Sequence, residues 1–424
     1  PLPRWPDGLA TFDPQTEILF TDKFFGAHVC GDQVLDEGWN AHLEDRRYYF
    51  DCLMAPHVRQ VESALEKLLT KPAKLYATGH GPLVRYGLRA LTDAYQDWLI
   101  QQKQKSAKVA LVYASAYGNT ATLAQAIARG LTKAGVAVES INAEFAEPEQ
   151  LKTAIAESSG VIFGSPTLGG HPPTQIQTAM GITLNQSENT KLAGVFGSFG
   201  WSGEAVDWLE SKFKDAGFQL GFEPIRVKFS PTGAVLQTCE EAGTDFAQAL
   251  KKIQRRRKPK GSGRSSSSDR TLQALGRIVG PLCIVTTRQD DISSGMLASW
   301  VSQATFNPPG FTVAVAKDRA IESLLHVGST FVLNVLKEGN HLGLMKHFLK
   351  PFGPGEDRFQ DIAWEPAENG SPILADGLAH LECTVDKRME CGDHWLIYAI
   401  ANQGQVKDTD GISVVHHRKT GSHY

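Results

Sequence analysis

Residues 108–113, Lys-Val-Ala-Leu-Val-Tyr, form a short apolar run rich in β-formers, and it feeds directly into Ala114-Ser115-Ala116-Tyr117-Gly118-Asn119-Thr120. Leu123, Ala124, Ile127, Ala128 and Leu131 then recur at helical spacing. The local order is therefore strand, tight loop, helix. The alternation continues: residues 136–141, 160–164, 192–196 and 225–229 read as four more strands, with helical stretches between them. Five strands alternating with helices can close only as an open parallel sheet wound on both faces, with ligands beyond the C-terminal strand ends.

Three loops leave those ends. In the first, hydroxyls at Ser115, Thr120 and Thr122, with Gly118 allowing close backbone approach, would aim donors at a phosphate on the helix N-terminus. No lysine stands in this loop, so a triphosphate site of the GxxxxGK[ST] kind is excluded and a terminal monophosphate such as that of FMN is favoured. The second loop runs Ser165-Pro166-Thr167-Leu168-Gly169-Gly170-His171, and the third Gly197-Ser198-Phe199-Gly200-Trp201-Ser202-Gly203. A flat tricyclic ring needs apolar walls and backbone donors brought close by glycines. Together the loops resemble those of the flavodoxin-like FMN fold. The resemblance assigns FMN to Ser115, Tyr117, Gly118, Asn119 and Thr120, to Pro166, Thr167, Leu168, Gly169 and Gly170, and to Ser198, Phe199, Gly200, Trp201, Ser202 and Gly203.

This piece occupies about a third of the chain. A length of 424 residues implies about three domains. The clearest cut is 255–270, RRRKPKGSGRSSSSDR, a basic Gly/Ser segment of linker composition, and a softer one is the polar stretch 101–106. The expected domains are residues 1–105, 106–254 and 271–424. Forty-three basic and 46 acidic residues leave a net charge of −3, which argues against nucleic acid as a partner of the whole chain. No apolar stretch is long enough to span a membrane and no secretory signal opens the chain, so a cytoplasmic setting is expected. The first residue is Pro, as in a processed or partial chain. Six scattered cysteines without a CxxC pair read as buried free thiols, and His416, His417 and His423 as solvated tail residues.

Residues 271–424 are strand-rich. They carry Ser294-Gly295-Met296-Leu297-Ala298-Ser299-Trp300-Val301-Ser302-Gln303-Ala304-Thr305-Phe306-Asn307-Pro308-Pro309, the runs 311–316 and 331–336, and Gly392-Asp393-His394-Trp395. These motifs resemble the flavin reductase family, a split β-barrel binding FMN or FAD. The resemblance places flavin along Ala298, Ser299, Trp300, Val301, Ser302, Gln303 and Ala304. It places phosphate near Lys317 to Ser323 and the active-site Gly-Asp-His at Asp393 and His394.

In residues 1–105, an apolar strand ending in Asp22 and a later one ending in Gly79-His80-Gly81-Pro82 resemble the C-terminal half of a metallo-β-lactamase-like αββα domain. That likeness makes Asp22 and His80 metal ligands, although Lys23 places a cation beside them and two ligands cannot hold two metals. The three pieces in this order resemble the three-domain flavodiiron proteins of oxygenic phototrophs, without the earlier HxExDH cluster. The family implies photoprotective electron transfer from NAD(P)H through flavin to two irons of the intact protein, where dioxygen becomes water. It also implies homo- or hetero-oligomers with family relatives. Two other classes stay open at this point: a flavin electron carrier without terminal chemistry, and a metal-dependent hydrolase with redox modules.

Overall fold

Thr11–Asp13 (β1) and Ile18–Asp22 (β2) pair as an antiparallel hairpin, and β2 runs parallel to Leu75–Thr78 (β3). Helices Leu43–Leu53 (α1), Val58–Leu69 (α2) and Leu88–Gln104 (α3) accompany this small sheet. Their shared core is aromatic: Phe25 stacks on Tyr76 at 4.5 Å, and Phe50 meets the edge of Tyr95 at 5.2 Å. The computed structural model describes residues 8–186, 192–257 and 267–421. It divides into two units, Pro1–Arg255 and Arg256–Tyr424.

In the same first unit, Lys108–Tyr113 (β4) leads through the glycine loop into Asn119–Lys133 (α4). Then follow Ala137–Asn142 (β5), Pro148–Ala156 (α5), Gly160–Pro166 (β6), Thr174–Gln186 (α6), Leu192–Phe199 (β7) and Glu204–Asp215 (α7). Gln219–Leu220 (β8), Ile225–Lys228 (β9) and the long Gly233–Arg257 (α8) complete it. The spatial order is β5-β4-β6-β7, all parallel, with β8 and β9 both on the far side of β7. The fifth strand is thus split in two, where the sequence suggests one run at 225–229. Side chains alternate across β4: Val109, Leu111 and Tyr113 pack toward α4 and α8, whereas Ala110 and Val112 pack toward α5, α6 and α7. This is the flavodoxin-like doubly wound sheet.

The second unit begins with Ser267–Leu275 (α9) and the short Gly280–Pro281 (β10). Its main strands are Cys283–Gln289 (β11), Ile292–Ala298 (β12), Val301–Thr305 (β13), Gly310–Ala316 (β14) and Thr330–Leu336 (β15). After Leu342–Leu349 (α10), the pair Trp364–Pro366 (β16) and Pro372–Leu374 (β17) precedes a long hairpin, Gly377–Cys391 (β18) and His394–Val406 (β19). Val415–His416 (β20) closes on β10. Seven strands in the antiparallel order β12-β11-β15-β18-β19-β14-β13 make the split β-barrel.

Three details differ from the sequence reading. The polar stretch 101–106 is largely the last turn of α3, with Gln102 buried, and the residues on either side belong to one unit. The basic segment 255–270 is helical at both ends, since α8 runs to Arg257 and α9 starts at Ser267, as good helix formers and a serine start allow. Its middle, 258–266, lies outside the described residues. Among the cysteines, Cys30 and Cys391 are exposed rather than buried, while burial pushes the thiols of Cys239, Cys283 and Cys383 up to about 12.

Candidate flavin sites

All three glycine loops converge at the C-terminal edge of the parallel sheet. Strand β4 has β5 on one side and β6 on the other, so the strand order reverses beside the first loop. Gly118 adopts φ +83° immediately before α4, and a side chain there would meet nothing within 4 Å. Of the amides that open α4, those of Ala121 and Thr122 are taken by Ser115 Oγ and Gly118 O, which leaves those of Asn119 and Thr120 at the helix start.

The hydroxyls around this helix start can be counted. Ser115 Oγ accepts from Ala121 N at 3.0 Å, which leaves its own proton to donate. Thr120 Oγ1 and Ser198 Oγ lie 2.8 Å apart and share one hydrogen bond, so one of the two protons remains for another acceptor. Thr122 is different. Its hydroxyl donates to Gly118 O at 3.1 Å, so this proton is spent and the residue drops out of the cradle.

In the second loop, Leu168 and His171 exchange backbone hydrogen bonds of 3.0 and 3.2 Å around Gly169 and Gly170, whose φ values are +58° and +83°. A two-residue turn with both φ positive is the case in which glycine is needed. Pro166 ends β6, and Thr167 ties this loop to the third by donating its N–H to Ser198 O at 3.2 Å. The third loop passes Phe199, Gly200, Trp201, Ser202 and Gly203 into α7. Trp201 is 92% exposed and Tyr117 in the first loop 89% exposed, two large uncovered rings beyond the ends of β7 and β4, on either side of β6. Phe229, placed only in a strand by the sequence reading, is a third exposed aromatic at this edge. Its ring comes within 3.6 Å of the Cβ position of Gly200, and its own φ is +61°. An aromatic at the end of the fifth strand was the available signal.

The residues present thus fit FMN: the first two amides of α4 and spare hydroxyls for a phosphate, and aromatic faces for a ring.

In the second unit the expected flavin segment forms the corner between β12 and β13. Ala298 and Ser299 are buried, Trp300 is half-buried, and Val301, Ser302, Gln303 and Ala304 continue along an edge strand. The Trp300 ring lies 5.0 Å from that of His394, whose Nδ1 is 2.8 Å from Asp393 Oδ1. That hydrogen bond holds the Asp393 carboxyl below its ordinary range. Lys317 donates its backbone N–H to Asp393 O at 2.9 Å, and its ammonium pairs with Glu390. Ser323 is less direct, because its hydroxyl donates to Ala320 O within the short helix Ala320–Leu324. Glu322 of that helix is held by Arg388 at 2.5 Å, and the Arg388 guanidinium also lies 4.2 Å from the Trp395 ring centroid. This buried support spans 66 residues of sequence, so no local pattern announces it.

Asp22 and His80 are brought together, but around a lysine. Lys23 Nζ lies 3.4 Å from Asp22 Oδ1 and 3.0 Å from His80 Nε2. An ammonium has only donors, so His80 offers it the lone pair a metal would need. Among the described residues no group of three or more His, Cys, Asp or Glu side chains could hold a metal. These two residues do not fit an iron centre as they stand. Of the tail histidines, His416 differs from expectation in being partly buried in β20, His417 is exposed, and His423 lies outside the described residues.

Comparison with known proteins bears on the domains that carry these candidate sites. A flavodoxin family model matches residues 111–243, and a flavin reductase like domain model matches residues 275–422. Diflavin flavoprotein A 6 of Nostoc sp. is 67% identical over 424 residues, which is 100% of this chain and 74% of that protein. The chain belongs to the diflavin flavoproteins. Diflavin flavoprotein A 3 of Synechocystis sp. is also 67% identical, over 100% of this chain and 71% of that relative. Among solved structures, the metal-soaked Flv1 flavodiiron core from Synechocystis sp. is 68% identical with a TM-score of 0.58, covering 60% of this chain and 63% of that one. This diflavin flavoprotein is therefore a flavin-based oxidoreductase, and among its described residues no helix is long and apolar enough to cross a membrane.

Proposed function

We propose that the chain is the electron-delivering part of an NAD(P)H:oxygen oxidoreductase, with FMN in the flavodoxin-like domain and FMN or FAD in the reductase domain. The observation that carries this reading is that one chain matches both a flavodoxin model, over 111–243, and a flavin reductase like domain model, over 275–422; the proposed cradles are Gly118–Thr120 and Ala298–Ala304. When bound, flavin supplies the conversion of a two-electron hydride donor into single electrons. Trp300 and the Asp393–His394 pair would set the position of ring and donor. Ser115, Thr120 and the start of α4 would hold the FMN phosphate, while Tyr117, Trp201 and the Gly169–Gly170 turn would bound its ring.

Dioxygen, reduced to water, is the proposed terminal acceptor in the assembled protein. No step is assigned to Asp22 and His80, because Lys23 lies between them. That geometry favours a second reading in which this chain passes electrons to a family relative within a homo- or hetero-oligomer.

The test is a visible spectrum of the purified protein, with flavin released and counted before and after anaerobic NADPH or NADH. Two flavins per chain, bleached by donor, are expected; one flavin that no donor bleaches would sink the reading. A second measurement bears on the FMN loops alone. Stacking on an exposed aromatic is worth about 1–3 kcal/mol, so Trp201→Ala should weaken FMN binding about 10- to 100-fold. Unchanged affinity in an FMN titration of the stripped protein would remove Trp201 from the site.

A further inference from the structure

The last strand of the second unit does more than close a sheet. In β20, Val415 and His416 pair with Pro281 and Gly280 of β10. Gly280 in turn lies so close to the flavin corner that a Cβ there would stand 2.2 Å from Ser299 O. Farther on, Gly421 donates to Leu272 O, and a Cβ on Gly276 would collide with the Thr420 backbone at 2.6 Å. The segment 415–421 is thus fixed at both ends, and Arg418 between them is carried onto Trp300, its guanidinium 4.9 Å from the ring centroid.

The cation–π contact accounts for the position of the guanidinium but not for its hydrogens. Arg418 Nη1 is out of solvent and has no hydrogen-bond partner among the described residues. The same holds for Nε2 of His416 and Nε2 of His394. Arginine is always protonated and has only donors, so a buried Nη1 without an acceptor is a costly arrangement unless something else supplies one. His416 lies within reach of the Arg418 charge, which together with burial, the larger cause, lowers its pKa. Two such nitrogens, of Arg418 and His394, flank one tryptophan, with the third on His416 near Arg418, and together they call for an anion with several acceptor oxygens. A phosphate meets that requirement, and a guanidinium recognises it through parallel hydrogen bonds.

We propose that Arg418, with His416 beside it, binds a phosphate of the nicotinamide nucleotide donor next to Trp300. The inference rests on the reductase reading above, in which the flavin's own phosphate falls at Lys317–Ser323 on a different element. It assigns to the C-terminal segment a substrate-binding role in place of a solvated tail.

The test uses the full chain with oxidised NADP⁺ as probe, followed by tryptophan fluorescence or calorimetry, so that no turnover is needed. Arg418→Ala is expected to weaken NADP⁺ binding at least about tenfold with flavin content unchanged, and Arg418→Lys to recover part of that loss through its charge. If Arg418→Ala fails to fold, Arg418→Gln keeps length and a donor without the charge and is expected to show the same loss. Reduced flavin content with unchanged NADP⁺ affinity would overturn the assignment, because the phosphate would then be the flavin's. A lowered melting temperature with both affinities unchanged would overturn it in favour of a purely structural stack. A wild-type chain that binds neither flavin nor NADP⁺ would overturn the reductase reading itself.

Discussion

Glu240→Gln should cost the first unit about 3–5 kcal/mol of stability at neutral pH, the expected penalty for breaking a buried ion pair from one side. Glu240 sits on α8 and is 7% exposed. Its Oε1 receives Lys133 Nζ at 2.5 Å and its Oε2 lies 3.4 Å from Arg129 Nε, both on α4. Burial alone would raise the carboxyl pKa, yet the two cations outweigh it and hold the group below its ordinary range. Glutamine keeps the shape and removes the charge, so Arg129 and Lys133 both lose this buried carboxylate at the helix crossing. A depressed folded pKa contributes stability that is present above the unfolded value and lost as pH falls through the folded one. The gap between wild type and variant should therefore be full at neutral pH and shrink in acid. Urea unfolding at several pH values measures this; a gap below about 1 kcal/mol at neutral pH would mean the triad is not a net support.

The contrast between this triad and the glycine loops shows what the sequence could display. Ser115, Gly118 and Thr120 stand within six residues, and the chemistry they serve demands that closeness, so the first cradle is legible before any tertiary structure is known. The parallel sheet is legible for a related reason, since strand and helix periodicities are local and their alternation restricts the topology. Lys23 meeting His80 across 57 residues, and Arg418 reaching Trp300 across 118, depend on how the chain closes, and no local period encodes them. Lys23 could be seen as a cation beside an acid in the sequence, but its position between the two expected metal ligands could not. The split of the fifth strand into β8 and β9 is not legible in the sequence because two residues, Gln219 and Leu220, carry no period at all. The polar sequence around His416 reads as solvated, whereas pairing with Gly280 draws the residue inward.

The crossing of α4 and α8 sets up the other large effect, and it links packing to the FMN site. A Cβ on Gly130 would lie 1.9 Å from Glu240 O, and a Cβ on Gly243 would lie 2.1 Å from Ile127 O. The two glycines face each other's helix reciprocally, and in both cases the obstruction is backbone, which cannot turn aside as a side chain can. Gly130→Ala must therefore push the helices apart, and overpacking of a tight core costs about 1–3 kcal/mol. The displaced helix is the one whose first turn carries Asn119 and Thr120, so the 2.8 Å contact of Thr120 with Ser198 should open with it. FMN affinity is expected to fall about tenfold alongside stability, an effect that a misplacement of about 1 Å readily produces. Gly181 on α6 is the control, since a Cβ there meets nothing within 4 Å. Gly181→Ala should be neutral or stabilising by about 0.4–1 kcal/mol, through the unfolded chain and helix propensity, with FMN binding unchanged. Urea unfolding and FMN titration of the two variants decide the matter: if Gly130→Ala matches Gly181→Ala in both, the close crossing does not position the phosphate cradle.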